Sequence, residues 1–138
     1  MSHWAAMLPL PTLFAVALGG AAGSLARWGV LEIATGGQDP SPDATMSGVY
    51  LALFAINVLG SLLLGVLLAQ RDLMRHGQFL AMGAGFTGGL TTFSDFAVDV
   101  AEMLDGGRVV DAATNGIGTA FCALVAAGLG YRLGVISR

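Results

Sequence analysis

The chain has 138 residues, of which 55% are hydrophobic and 11% charged, with a formal net charge of −3. Average globular domains carry roughly 25% charged residues, so this chain has too few charges to cover a water-facing surface, and its slight acidity gives no basis for nucleic-acid binding. Four apolar blocks account for the deficit, each close to the ~20 residues that cross a bilayer. The expectation is an all-α membrane protein, one four-helix transmembrane domain over residues 1–138 with the lipid bilayer as its solvent.

The first block, Leu8 to Ala26, is uncharged and ends at Arg27, predicting a helix over about 8–33. Met1 to Leu13 lacks a basic n-region and carries Pro9 and Pro11, so the block reads as a retained helix and not as a cleaved signal. Residues 34–47, rich in Gly, Pro, Ser and Asp, read as an aqueous loop. The second block, Gly48 to Ala69, predicts a helix over about 48–70 interrupted only by the polar Asn57 and Ser61. The third helix, about 78–104, is the weakest on hydropathy because Asp95, Asp99 and Glu102 fall inside it. The fourth, about 109–134, carries Thr114, Asn115 and Thr119 in an uncharged run from Ala112 to Tyr131. Cys122 has no second cysteine to pair with and reads as a buried, inert thiol.

Twenty-one glycines is about double the usual share of roughly 7%. The spacings Gly19-xxx-Gly23, Ser61-xxx-Gly65 and Gly130-xxx-Gly134 let membrane helices approach closely. Four tightly packed helices leave little room for an internal aqueous path, so a dimer is favoured. No internal repeat is visible, and two oppositely oriented copies could supply the pseudo-symmetry that inverted repeats give larger transporters.

The third helix holds the sharpest signal, Gly85-Phe-Thr-Gly-Gly-Leu-Thr-Thr-Phe-Ser-Asp-Phe96. Glycine costs a helix about 1 kcal/mol relative to alanine, so Gly88-Gly89 predicts a break over 88–91 near the helix centre. Thr92-Phe-Ser-Asp95 then matches the S/T-x-x-acid pattern that opens a helix, with Asp95 as a structural cap. Lipid offers no partners for free backbone groups, so unwound chain at that depth lies inside protein or beside water. Carbonyls freed there suit a dehydrated cation.

These residues resemble the signature of the Fluc (CrcB) family of small fluoride channels. Gly19-Gly20-x-x-Gly23-x-x-x-Arg27 and Asn57-x-x-Gly60-Ser61-x-x-x-Gly65 reinforce the likeness, in the right order over the whole chain. The resemblance implies an antiparallel, dual-topology dimer of four-helix subunits, with two fluoride routes and one structural sodium ion on the dimer axis. It assigns the sodium to backbone carbonyls of Gly88 and Thr91, and the pore to Phe93, Phe96 and Asn57. It places Arg27 in an aqueous vestibule. On the fourth helix it implies Asn115 and Thr119, Asn115 standing where the family tends to carry a tyrosine.

The residue types suit such an anion. An asparagine amide offers two donors and a threonine hydroxyl one, and a phenyl ring has a positive edge. Phe93 and Phe96, three apart, share a helical face. Expected function is therefore passive, fluoride-selective export down the electrochemical gradient, relieving fluoride toxicity, by a multi-pass protein of a bacterial inner or plasma membrane. The runner-up is a small dual-topology four-helix multidrug or cation exchanger. That chemistry needs an acid deep in the first helix, whereas Glu32 falls near its end. An enzyme is not expected, because His3 and His76 lie near water and no nucleophile–base set falls within the spans. Arg71, Arg75, Arg132 and Arg138 share one side and Arg108 the other, which predicts that the arginine-rich side is cytoplasmic. Such a bias is compatible with an antiparallel homodimer that tolerates it, or with a heterodimer formed with an oppositely oriented homologue.

Overall fold

The computed structural model describes residues 9–36 and 48–137; Leu8, nearly all of the expected 34–47 loop and Arg138 lie outside the described residues. Among the described residues the chain is helical, without strands. Helix α1 spans Leu10–Thr35, with proline in its first turn, and ends at Gly36, whose left-handed φ of 61° lets its N–H return to Glu32 O. Helix α2 spans Gly48–Gln70, and a 3₁₀ turn, Arg71–Leu73, leads to the short α3, His76–Leu80. The chain continues without a stop through a π-helical segment, Ala81–Thr87, into α4, Gly88–Leu90. After Thr91 and Thr92 come α5, Phe93–Asp105, and α6, Val109–Ile136. Among the described residues three helical stretches are long and apolar enough to cross a membrane: Leu10–Thr35, Gly48–Leu73 and Val109–Ile136. The 76–105 stretch is broken into shorter pieces.

The break does not fall where the glycines predict it. Gly88 is right-handed helical (φ −67°, ψ −34°), and Thr91 N–H closes the last turn onto Thr87 O at 2.9 Å. The extended residues are Thr91 (φ −78°, ψ 154°) and Thr92 (φ −143°, ψ 126°). At Gly89 glycine's weak helix preference is overridden by packing against α1. A Cβ on Gly89 would collide with the carbonyl of Gly20, and one on Gly23 with Phe86 O. The threonines unwind instead, as β-branched residues accept extended backbone readily. The π segment has a local cause as well: Thr87 Oγ1 donates to Met82 O, five residues back, at 2.6 Å.

The glycine spacings are all used inside the subunit. Gly19 and Gly23 seat α1 against the π segment and α4, and Gly65, Gly130 and Gly134 bring α2 and α6 together backbone to backbone. The buried apolar core is accordingly small and centred on α2, with Leu53, Ile56 and Leu67. In α1 only Gly23 is buried, while Leu10, Phe14, Leu18, Leu25 and Trp28 face outward. Cys122 is half-buried and not enclosed.

Candidate functional site

The break is held open by one side chain. Thr92 N–H donates to Asn57 Oδ1 at 3.0 Å, and Asn57 Nδ2 donates to Thr92 O at 3.2 Å. An asparagine amide mimics a peptide group, so α2 pairs with the extended threonine as a strand partner would. This pairing also fixes the amide's orientation, because a backbone N–H must meet the oxygen and a backbone C=O the nitrogen. The second N–H of Nδ2 is not needed by Thr92.

The clamp changes which backbone groups are available. In an uninterrupted helix Thr92 N–H would serve Gly88 O, and Asp95 N–H would serve Thr91 O. Here the first goes to Asn57 and the second to Thr92 Oγ1 at 3.2 Å. The carbonyls of Gly88 and Thr91 are thus released from their helical donors, while Gly89 O accepts from Ser24 Oγ of α1 at 3.5 Å. Gly88 is exposed, and a Cβ there would meet nothing within 4 Å.

Thr92 is the N-cap that the S/T-x-x-acid pattern predicts. Asp95, however, is not its reciprocal partner, because Asn57 already satisfies Thr92 N–H. The Asp95 carboxylate turns instead to Arg27 of α1, with Oδ2 3.6 Å from Nη1. The expectation of Asp95 as a cap is corrected accordingly: its backbone is capped, and its side chain pairs between helices.

Beside the clamp lies an open groove of about 270 Å³, whose walls include Asn57, Ser61, Thr91, Thr92, Phe93, Phe96 and Thr119. Gly60 of α2 forms its floor, where a Cβ would collide with the Thr91 methyl. Phe93 and Phe96 stand with ring centroids 5.7 Å apart, tilted 46°. Phe93 is 79% exposed, and Phe96 is half-buried. Thr119 is buried and donates from Oγ1 to Asn115 Oδ1 at 3.2 Å. A second groove, about 300 Å³, lies along α2 and α6 with Tyr50, Asp111 and Asn115 in its wall, and shares Thr119 with the first.

Of the residues singled out in the sequence, Asn57, Thr91, Phe93, Phe96 and Thr119 therefore converge on one groove. Asn115 lines the neighbouring one, Gly88 lies a turn before the break, and Arg27 meets α5 on another flank. Thr92 and Ser61 also line the first groove and Tyr50 the second, none of them marked in the sequence as a groove residue. The capping pattern marked Thr92, and Ser61 sits one turn beyond Asn57; nothing local marks Tyr50. Among the described residues no cluster of three or more His, Cys, Asp or Glu side chains could hold a metal.

Residues 14–131 match the model of the family described as CrcB-like protein, Camphor Resistance (CrcB). The chain is 37% identical over 127 residues to "Fluoride-specific ion channel FluC 2" of Natronomonas pharaonis, covering 92% of this chain and 97% of that one. It is 36% identical to a "Fluoride-specific ion channel FluC" of Thermus thermophilus, over 86% of this chain and 91% of the relative. Against the protein of that name from Paracoccus denitrificans it is 38% identical, covering 89% and 94% respectively.

Proposed function

The chain belongs to the CrcB-like family, and on that premise we propose that it is a fluoride-selective channel, passing the anion passively out of the cell. It is a membrane protein and not an enzyme. The observation that carries the route is the convergence on one groove of a spare amide donor from Asn57 with the rings of Phe93 and Phe96. Fluoride is small and tightly hydrated, so a selective path must replace water with donors. Asn57 supplies an N–H fixed in direction by its grip on Thr92. The phenyl edges, positive relative to the faces, accept the anion where no further donors stand. Thr119 and Asn115 extend the polar side of the path along α6. Arg27 serves as the vestibule cation that draws the anion in. A membrane potential of 100 mV, negative inside, contributes about 2.3 kcal/mol per charge, so outward flow needs no coupled reaction.

Two oppositely oriented copies, or this chain and an oppositely oriented homologue, complete the channel in a bacterial inner or plasma membrane. The stretch 76–105 serves as the third of four spans, its break shielded by α1, α2 and the second copy. The groove is open on one side in a single copy, and α1 presents large apolar residues outward; a partner covers both. The sodium ion of this reading sits at the interface on carbonyls of Gly88 and Thr91. The donor set fits a hard monovalent cation: both oxygens have lost their helical donors to Asn57 and Thr92, and Gly88 leaves open space beside it. Bound there, sodium supplies a fixed positive charge between the copies.

The test is fluoride release, followed by electrode, from liposomes holding the purified chain. Release without any proton gradient is expected. Release only when protons flow the other way, or none, would refute a passive channel.

A further inference from the structure

Asp95 sits in the first turn of α5, between the two groove phenylalanines in sequence yet directed elsewhere. At about 100° per residue its side chain leaves the helix about 130° away from the mean direction of Phe93 and Phe96. There it meets Arg27 of α1 at 3.6 Å. Its backbone N–H is tied to Thr92 Oγ1, and Thr92 is held at both backbone groups by Asn57. The backbone that carries the carboxylate is thus tied to the clamp that shapes the groove, one turn or less from its walls. Asp99 follows one turn further along α5, half-buried, and Glu32 lies exposed near the end of α1.

The side chains of Arg27 and Asp95 keep 27% and 45% of their surface exposed. An ion pair this wet contributes little to stability. Its effect on a mobile anion is larger in kind. Alone, the guanidinium presents a full positive charge that attracts anions over about a Debye length. Paired, the two charges cancel at a distance and leave only a short-ranged dipole.

We infer that Asp95 is an attenuator of anion entry: by neutralising Arg27 it lowers the local concentration of small anions at the groove, and so sets the throughput of the channel. This rests on the fluoride-channel reading. Asp95 acts through Arg27 and touches no permeating ion itself.

The experiment compares wild type, Asp95→Asn, Asp95→Ser, Asp95→Glu, Arg27→Gln and the Arg27→Gln/Asp95→Asn double variant in liposomes. Initial fluoride release is normalised to protein that elutes as wild type does, at about 0.01 M and about 0.15 M of an impermeant salt. Both neutral Asp95 variants are expected to release fluoride about two- to fivefold faster at low salt. The gain should shrink at high salt, as the screening length falls from about 30 Å to about 8 Å. Asp95→Glu should stay near wild type, and Asp95→Asn should give no gain once Arg27 is Gln. Two neutral variants guard against one that fails to fold, and a merely structural residue would show no salt dependence. Unchanged or slower release in the neutral variants that elute natively, a gain independent of salt, or the same gain without Arg27 overturns the inference while wild-type release continues. A wild type that releases no fluoride removes the channel reading, and this inference with it.

Discussion

At Asn57 one side chain does for the break what two backbone groups do inside a helix. Replacing it with alanine leaves the N–H and C=O of the buried Thr92 without protein partners, at about 1–3 kcal/mol. Asn57→Ala is therefore expected to lower the thermal unfolding midpoint in detergent and to abolish most fluoride release. A variant with wild-type stability would show that the clamp is dispensable. The capping pattern made Thr92 legible in the sequence, because a hydroxyl three residues before an acid is a local device. The Arg27–Asp95 pair was not legible: its members are far apart in the chain, and only the packing of α1 on the π segment and α4 brings Arg27 near the start of α5. Asn57 could be picked out as a lone amide in an apolar block, but not its partner, since pairing an α2 side chain with a backbone on the third span is a tertiary event.

Among the elements, the helices with uniform apolar runs were readable to within a few residues, as length and hydropathy alone decide them. The interior of the third was not. Gly89 stays helical with α1 packed against it, and the π turn at Ala81–Thr87 carries the Thr87 to Met82 hydrogen bond. The first is a tertiary contact absent from the local sequence, and the second joins residues only five apart without a pattern that announces a π turn. Close packing also makes a graded prediction. In Gly130→Ala the new methyl collides with Leu62 O, whereas in Gly118→Ala it meets nothing within 4 Å. The first should cost about 1–3 kcal/mol, as over-packing does, and yield less natively eluting protein. The second should be neutral, or stabilising by up to about 1 kcal/mol. Equal behaviour of the two variants in detergent melts would contradict the backbone-to-backbone packing of α2 and α6.

For the whole molecule, the composition announced a membrane protein, and the outward apolar face of α1 agrees with it. Orientation follows from charge. With 76–105 as a span, Arg71, Arg75 and Arg132 share one side, and the arginine bias predicts mainly cytoplasmic signal from a C-terminal reporter fusion, as pairing with an oppositely oriented homologue requires. Equal signal from both sides would mean that the arginine bias does not govern insertion. The residues favour a dimer only through the small interior of four close-packed helices; they do not mark its face, because a lipid-facing leucine and a partner-facing leucine look the same in sequence.

The central claim, that fluoride crosses beside the paired rings at the break, is tested most directly by fluoride-electrode release from liposomes with Phe93→Ile and Phe96→Ile introduced separately. Isoleucine keeps apolar bulk but removes the ring edge. Each variant should elute as wild type does and release fluoride at least about tenfold more slowly, the rate equivalent of about 1.4 kcal/mol. Full release from both variants would contradict the account.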